Sequence, residues 1–573
     1  MHKPFIWLNV YIHPTNVITV CGGDRLSKET SSVGEKKFMR GVAILTPATL
    51  FCKFIGLFYK IPLIAIVGVG GMAYFLSAYH VYSLLFVLSA AGLPTALSLL
   101  VSRHVANGKG GAVGRIFRVS MAVFLLLGIT GTLLVALLSQ RIAEGLAMRE
   151  AAVALVAIAP ALALCAVTGG IRGLFQGYHN MIPTAISEVI EAVGKLAFGI
   201  CFALILKDKG APTPVIAAGA VFGITVGVAL SALFLLICFA VCRKKLLGEL
   251  CAAPPRRRHV LADMLRVALP VTVSTSVMSL VSLVDTVLIS KRLQAIGYAP
   301  AVANAMYSSY GNLAVPFYNL IPTVLSPITV ALTPTLCAAF AAGDRDTARQ
   351  TFAKGLRLVA LIVFPAILGL VVFARPILSM LYVGQEAAVS VAAPLLSVLA
   401  PSLLPAVLIA LTGGALQAAN KASVPVYAML SGAFVKLLVE SVLLSIPAVH
   451  IYGAPISTLA CNVTVLAINL AVLLRTYPAS LFSFSAFWRP LAAAALSVAV
   501  GGFAYGAALR LFGERLFFTP LVIVLVAVIY LVLALFFGAV RAGDLADIPG
   551  GERICHLLVK CKLLREVEKY DKR

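Results

Sequence analysis

Apolar residues in this chain come in long unbroken runs rather than in alternation. The runs fall at 41–67, 74–101, 115–139, 150–170, 183–206, 212–242, 262–290, 304–337, 354–374, 390–412, 423–446, 452–474, 486–510 and 516–540. Crossing the hydrocarbon core of a bilayer as a helix takes ~20 residues. Lipid offers no water to satisfy the backbone, so only helices or closed barrels span it. Barrel strands are short and alternate in polarity, and these runs do neither. The pattern predicts an all-α integral membrane protein with fourteen transmembrane helices.

Composition agrees. Of 573 residues, 61% are hydrophobic and 12% charged, about half the ~25% charge of a soluble domain. The net charge of +24 is therefore read as membrane topology and not as a nucleic-acid footprint. With the N-terminus inside, cytoplasmic segments hold 33 Lys and Arg and outer loops nine, while Lys53, Lys60, Lys195 and Lys436 lie within spans. Basic residues collect in cytoplasmic loops, so both termini are predicted to be cytoplasmic. The eleven cysteines form no CxxC pair and read as small apolar fillers, with no metal site. Residues 1–40 read as a cytoplasmic extension. In 541–573, Ile554, Leu557, Leu558, Cys561, Leu564 and Val567 recur at helical spacing, which predicts an amphipathic helix on the inner leaflet.

The two halves resemble each other. Ala106-Asn107-Gly108 precedes Phe117 as Ala341-Ala342-Gly343 precedes Phe352. Gly173-Leu174-Phe175-Gln176, with Asn180 and Pro183, is matched by Gly414-Ala415-Leu416-Gln417, with Asn420 and Pro425. Each proline leads into a helix with a lysine at its middle, Lys195 in one half and Lys436 in the other. Six spans, an even number, separate the copies, so the repeats run parallel, as in one class of transporters. The organisation expected is an N-lobe at 41–242, a basic linker at 243–261 and a C-lobe at 262–474, with two further helices in 475–540.

Ionisable groups within the membrane are costly and mark sites or pathways. Lys53 and Lys60 stand two helical turns apart on one face, with Gly56 beside them. Glu188, Glu191 and Lys195 form one stripe, and Lys436 precedes Glu440 by four residues. Each of these lysines is expected to pair with the carboxylate on its own helix. On that reading Glu191→Ala would partly rescue Lys195→Ala. Asp285 has no partner on its own helix and is either a candidate proton or sodium site or a hydrogen-bonding partner of the neighbouring span. Neither GxxxxGK[ST] nor HExxH occurs, so the expectation is a transporter and not an enzyme. It would need no cofactor and would be driven by Na+, H+ or the membrane potential.

The stretch from Lys53 to Leu63, Tyr79-His80-Val81-Tyr82, Ala91-Gly92-Leu93-Pro94 with Ala96 and Ser98, and Arg172-Gly173-Leu174-Phe175-Gln176-Gly177 with Asn180, Met181, Pro183, Thr184 and Ala185 resemble the stage V sporulation protein B group of polysaccharide exporters. Gly311, Pro322 and Pro334 fit that group's eighth span. The resemblance covers roughly 40–540 and extends to the MurJ-like members of the multidrug/oligosaccharidyl-lipid/polysaccharide flippase superfamily. It implies a central cavity and alternating access, moving an undecaprenyl-pyrophosphate-linked glycan precursor such as lipid II. It also implies that Lys53 and Lys60 meet the pyrophosphate, as lysines where MurJ-like proteins carry arginines, the second slightly out of register. The last two helices would guide the polyprenyl tail. The partners expected are the lipid-linked sugar, the bilayer and the wall-synthesis machinery, with the chain a monomer that binds no nucleic acid. The substrate-binding set is Lys53, Gly56, Lys60, Glu191, Lys195, Lys436 and Glu440. The competing class is a cation-coupled MATE drug exporter, which would want an acidic or aromatic cavity.

Overall fold

The structure is a computed structural model, and it describes residues 47–88, 92–106, 112–247, 257–476, 484–512 and 518–540. The extension at 1–40 and the amphipathic helix expected in 541–573 lie outside these residues, as does part of the basic linker.

Every described element is helical. The helices are α1 (Pro47–Val67), α2 (Val69–Phe86), α3 (Gly92–Ala106), α4 (Val113–Gly145), α5 (Ala152–Gly177), α6 (Ile182–Asp208) and α7 (Thr213–Leu247). They continue with α8 (Arg257–Ala295), α9 (Pro300–Ser308), α10 (Val315–Ala342), α11 (Arg345–Leu381), α12 (Glu386–Leu399), α13 (Leu403–Ala418), α14 (Ser423–Leu443) and α15 (Gly453–Thr476), and end with α16 (Phe484–Phe512) and α17 (Phe518–Phe536). Helix thus occupies each of the fourteen apolar runs. Among the described residues, eleven helical segments are long and apolar enough to cross a membrane. Several outrun the apolar stretch that announced them. The run at 354–374 lies inside the 37-residue α11, because its polar first turns stay helical. Asp344 caps that start by accepting from the Thr347 amide at 3.0 Å, and the same bonds hold its carboxyl below the usual range.

Many large apolar side chains lie on the surface. Leu137 is 79% exposed, Phe503 81% and Phe536 78%, a pattern that water would not support but lipid does.

Regular α-helical hydrogen bonding breaks at two places that line the later site. Hydrogen bonding in α1 is interrupted at Tyr59, three residues before Pro62, whose missing N–H and bulky ring free the preceding turn. The junction of α9 and α10 is a π-turn, Ser309–Ala314. Gly311 in that turn faces α2 so closely that an added Cβ would lie 2.3 Å from Leu76 Cδ2.

In the first half α4 packs on α5, and α5 and α6 both pack on α7; in the second, α12 and α13 pack on α11, α13 also on α10 and α15, and α14 on α15. The two groups meet along α2, α3 and α8, and again where α9 crosses α2. At the end away from the basic loops, Gln294 Nε2 donates to Ala147 O at 3.4 Å and Asn312 Nδ2 donates to Met72 O at 3.0 Å. Tyr74 donates to Glu150 at that same end. These bonds, with the Gly311–Leu76 contact, shut that end. Helices α16 and α17 stand apart against α11. Phe364 meets Phe487 and Phe373 meets Tyr505 edge-on, while Tyr530 donates to Leu361 O at 2.5 Å.

Candidate functional site

A cavity of about 920 Å³ lies between α1, α2, α5, α6 and α10, at the upper end of the ~300–1,000 Å³ of typical ligand sites. It reaches Thr49, at the start of α1 on the basic-loop side, and its far side is Leu76 and Gly311. The cavity therefore approaches the basic-loop end and stops at the sealed one.

Four cationic side chains line it, Lys53, Lys60, Arg172 and Lys195, against two carboxylates, Glu188 and Glu191. Gly56 lies between the two α1 lysines on the cavity wall, and a Cβ there would meet nothing within 4 Å. Among the described residues, Lys53, Lys60 and Lys195 make no ion pair. The opposite wall is polar and aromatic, with Tyr79, His80 and Ser83 from α2 and Asn319 and Thr323 from α10.

Arg172 is the residue the sequence reading passed over, because it follows the apolar run at 150–170 and counted as an inner-loop cation. The structure keeps it inside α5. Its Nε donates to Ser187 Oγ at 2.9 Å, and its Nη2 donates to Glu191 Oε2 and Ser231 Oγ, both at 3.0 Å. One guanidinium thus ties α5, α6 and α7 together, which its planar fork of donors allows and a lysine would not. A signal was present in the sequence: Ile171 and Leu174-Phe175 flank Arg172 with apolar side chains, so the helix had no reason to stop before it.

This corrects the expected Glu191–Lys195 pair. Glu191 belongs to Arg172, leaving the Lys195 ammonium free in the cavity. The backbone behind it is held by glycines. Added Cβ atoms on α7 would lie 2.3 Å from Gly199 Cα at Gly223 and 2.7 Å from Glu191 O and Lys195 N at Gly227. The Gly223–Gly227 spacing lets α7 touch the α6 backbone and sets the angle at which α6 presents Glu191 and Lys195.

The matching lysine of the second half has a different setting. Lys436 and Glu440 are not among the cavity's lining residues. Lys436 is buried, donating to Asp285 of α8 and, at 3.2 Å, to Glu440 Oε2. Ser457 of α15 donates to the same Glu440 oxygen at 3.2 Å. Asp285, which lacked a partner on its own helix, finds one across the helix pair. The expected Lys436–Glu440 pair is present, but as two members of a triad.

A hydrogen-bond chain lies between the two sites. His80 Nδ1, on the cavity wall, is 2.8 Å from Thr286 Oγ1 and 3.2 Å from Tyr307 OH. Thr286 and Tyr307 are themselves 2.8 Å apart. His80 thereby bonds the first half of the chain to the second.

A bundle of membrane helices in which two packed groups enclose a cationic cavity, sealed at one end, defines a polytopic membrane protein of the flippase and exporter class. Comparison with known proteins agrees. Residues 38–340 match the polysaccharide biosynthesis protein family, and the chain belongs to that family. Residues 270–442 also match the MatE family. Stage V sporulation protein B of Bacillus subtilis (strain 168) is 25% identical over 451 residues, covering 78% of this chain and 86% of the relative. The lipid II flippase MurJ of the same organism is 24% identical over 428 residues, covering 70% and 77%. Among solved structures, an inward-facing MATE multidrug transporter superposes with TM-score 0.63 at 16% identity, over 75% of this chain and 94% of that one. The inward closed conformation of MurJ gives 0.58 at 17%, over 86% and 98%. Both likenesses concern the fold.

Proposed function

We propose that this protein is a flippase for a lipid-linked envelope glycan precursor, carrying its pyrophosphate-sugar headgroup through the central cavity by alternating access. The observation that carries this reading is the cavity's charge. Four cations against two carboxylates, one of which is already engaged by Arg172, leave an excess positive potential in a space of low dielectric, where Coulomb energies grow. An anionic headgroup is favoured there and an organic cation is repelled. The tyrosine, histidine, asparagine and hydroxyl groups of the opposite wall offer the hydrogen bonds and flat apolar faces that a sugar takes. The homologues named as a flippase and a sporulation protein support the same class.

On this reading the chain acts as a transporter rather than an enzyme, with the bilayer and the lipid-linked sugar as partners, and it works as a monomer beside the wall-synthesis machinery. Helices α16 and α17, packed outside the cavity on α11, would accompany the lipid tail. Purified protein in proteoliposomes is expected to translocate lipid II and to leave a MATE-type organic cation in place. Efflux of the cation without movement of lipid II would make the drug-exporter reading the correct one.

The topology proposed with it has fourteen spans and both termini in the cytoplasm. On a cysteine-depleted background, single cysteines at Lys209 and Glu386 are expected to label from outside the cell and one at Arg257 only from inside. Labelling at Lys209 that requires permeabilisation would invert the arrangement.

A further inference from the structure

His80 stands at the seam between the two halves, and its hydrogen bonds fix where its proton sits. Thr286 Oγ1 lies 2.9 Å from Ser282 O. A carbonyl oxygen only accepts, so the Thr286 proton is spent there. Tyr307 OH, 2.8 Å from Thr286 Oγ1, is then the donor of that pair. His80 Nδ1 is 2.8 Å from the same oxygen, and the proton between them has to come from the ring. Both lone pairs of Thr286 Oγ1 are thereby filled. The neutral imidazole is held as its Nδ1–H tautomer, because the partner of one ring nitrogen sets the state of the other. Nε2 is left as a bare acceptor. It bonds to nothing among the described residues and is not enclosed. His80 lines the cavity, so this acceptor opens into it.

The facing wall is built the other way round. Lys53, Lys60, Arg172 and Lys195 bring donors from α1, α5 and α6, and lysine and arginine side chains only donate. An ionised pyrophosphate only accepts, so it suits that wall and is turned away by a bare ring nitrogen. Beside His80 the cavity suits a different group. Tyr79 is 41% exposed, and its ring centroid lies 6.4 Å from the imidazole. Thr323 spends its proton on Asn319 O at 2.8 Å and is left with lone pairs to offer.

We propose that His80 is a specificity-determining residue of the cavity. Its Nε2 accepts a hydroxyl or amide proton from the sugar of the substrate, while the cations of the facing wall hold the pyrophosphate. The inference rests on the flippase reading and deepens it, by assigning the two chemical parts of the headgroup to two walls. A purely structural link between the halves would be completed by Nδ1 and would leave Nε2 without a task.

Two amide variants separate the two ring nitrogens. In His80→Asn the amide nitrogen falls near the place of Nδ1 and keeps the bond to Thr286, with nothing at Nε2. In His80→Gln the amide oxygen reaches toward the place of Nε2, and the Nδ1 bond is given up. Binding of lipid II, and of undecaprenyl pyrophosphate as the probe that lacks the sugar, is measured on the full chain in nanodiscs, with Tm followed on the same samples. His80→Asn is expected to keep the wild-type Tm and its affinity for undecaprenyl pyrophosphate, and to bind lipid II about fivefold more weakly, the size of one uncharged hydrogen bond. His80→Gln is expected to lower the Tm and to keep more of the preference for lipid II than His80→Asn does. A full lipid II preference in His80→Asn, or an equal loss of affinity for both ligands in the two variants, would overturn the role of His80 alone. Wild-type protein that bound neither ligand would overturn the flippase reading and this inference with it.

Discussion

Lys53→Ala is expected to abolish flipping in a protein that still folds and inserts. Lys53 lines the cavity from α1, is exposed within it, and makes no ion pair among the described residues. Its removal therefore breaks no internal contact. What it removes is a point charge available to a pyrophosphate, able to grip in one conformation and release in the other. Losing one partner of a desolvated, hydrogen-bonded charge pair costs ~2–5 kcal/mol, equivalent to at least ~30-fold at 1.4 kcal/mol per decade. Lys53→Arg keeps the charge and is expected to retain part of the rate. The measurement is lipid II translocation in proteoliposomes, with thermal stability followed on the same preparations. Wild-type translocation by Lys53→Ala would show that the headgroup is held by neutral hydrogen-bonding groups such as those of Tyr79 and Asn319.

The second large effect separates two cations that the sequence places close together. Arg172→Ala is expected to destabilise the fold as well as stop transport, because it leaves Glu191 without its cation and takes a donor from Ser187 and from Ser231 at the junction of α5, α6 and α7. Breaking a fully buried pair costs ~3–5 kcal/mol. Here the two side chains are 17% and 26% exposed, and a loss of ~2 kcal/mol is the expectation once water reaches them. Glu191→Gln in the same background should restore part of that stability. Lys195→Ala should behave oppositely, changing stability by less than ~0.5 kcal/mol while lowering the transport rate, and Glu191→Ala should not rescue it. Denaturation midpoints of the single and double variants decide the matter. A Lys195–Glu191 coupling larger than the Arg172–Glu191 coupling would contradict the geometry.

The sequence by itself determined that the chain is a helical membrane protein, because lipid removes every other option for long apolar runs. It also located the helices, to within their polar ends, and it singled out Lys53, Gly56, Lys60 and Lys195, all of which line the cavity. Those residues were legible because a lysine among apolar neighbours is conspicuous in one dimension. Which charge meets which was decided only by the tertiary structure. Spacing along a helix made Lys195 the natural partner of Glu191, and Arg172, nineteen residues from Glu191, invisible as a competitor. Packing of α5 and α6 on the common helix α7 gave the carboxylate a fork of donors instead of a single ammonium. The same holds for Asp285, which is 151 residues from Lys436. The repeat put Lys195 and Lys436 at equivalent positions, yet one faces an open cavity and the other is enclosed by α8 and α15. Helical periodicity is a local property and survives in the sequence. The pairing of charges depends on which helix faces which, and that is set by side-chain packing and close glycine contacts spread over the whole bundle.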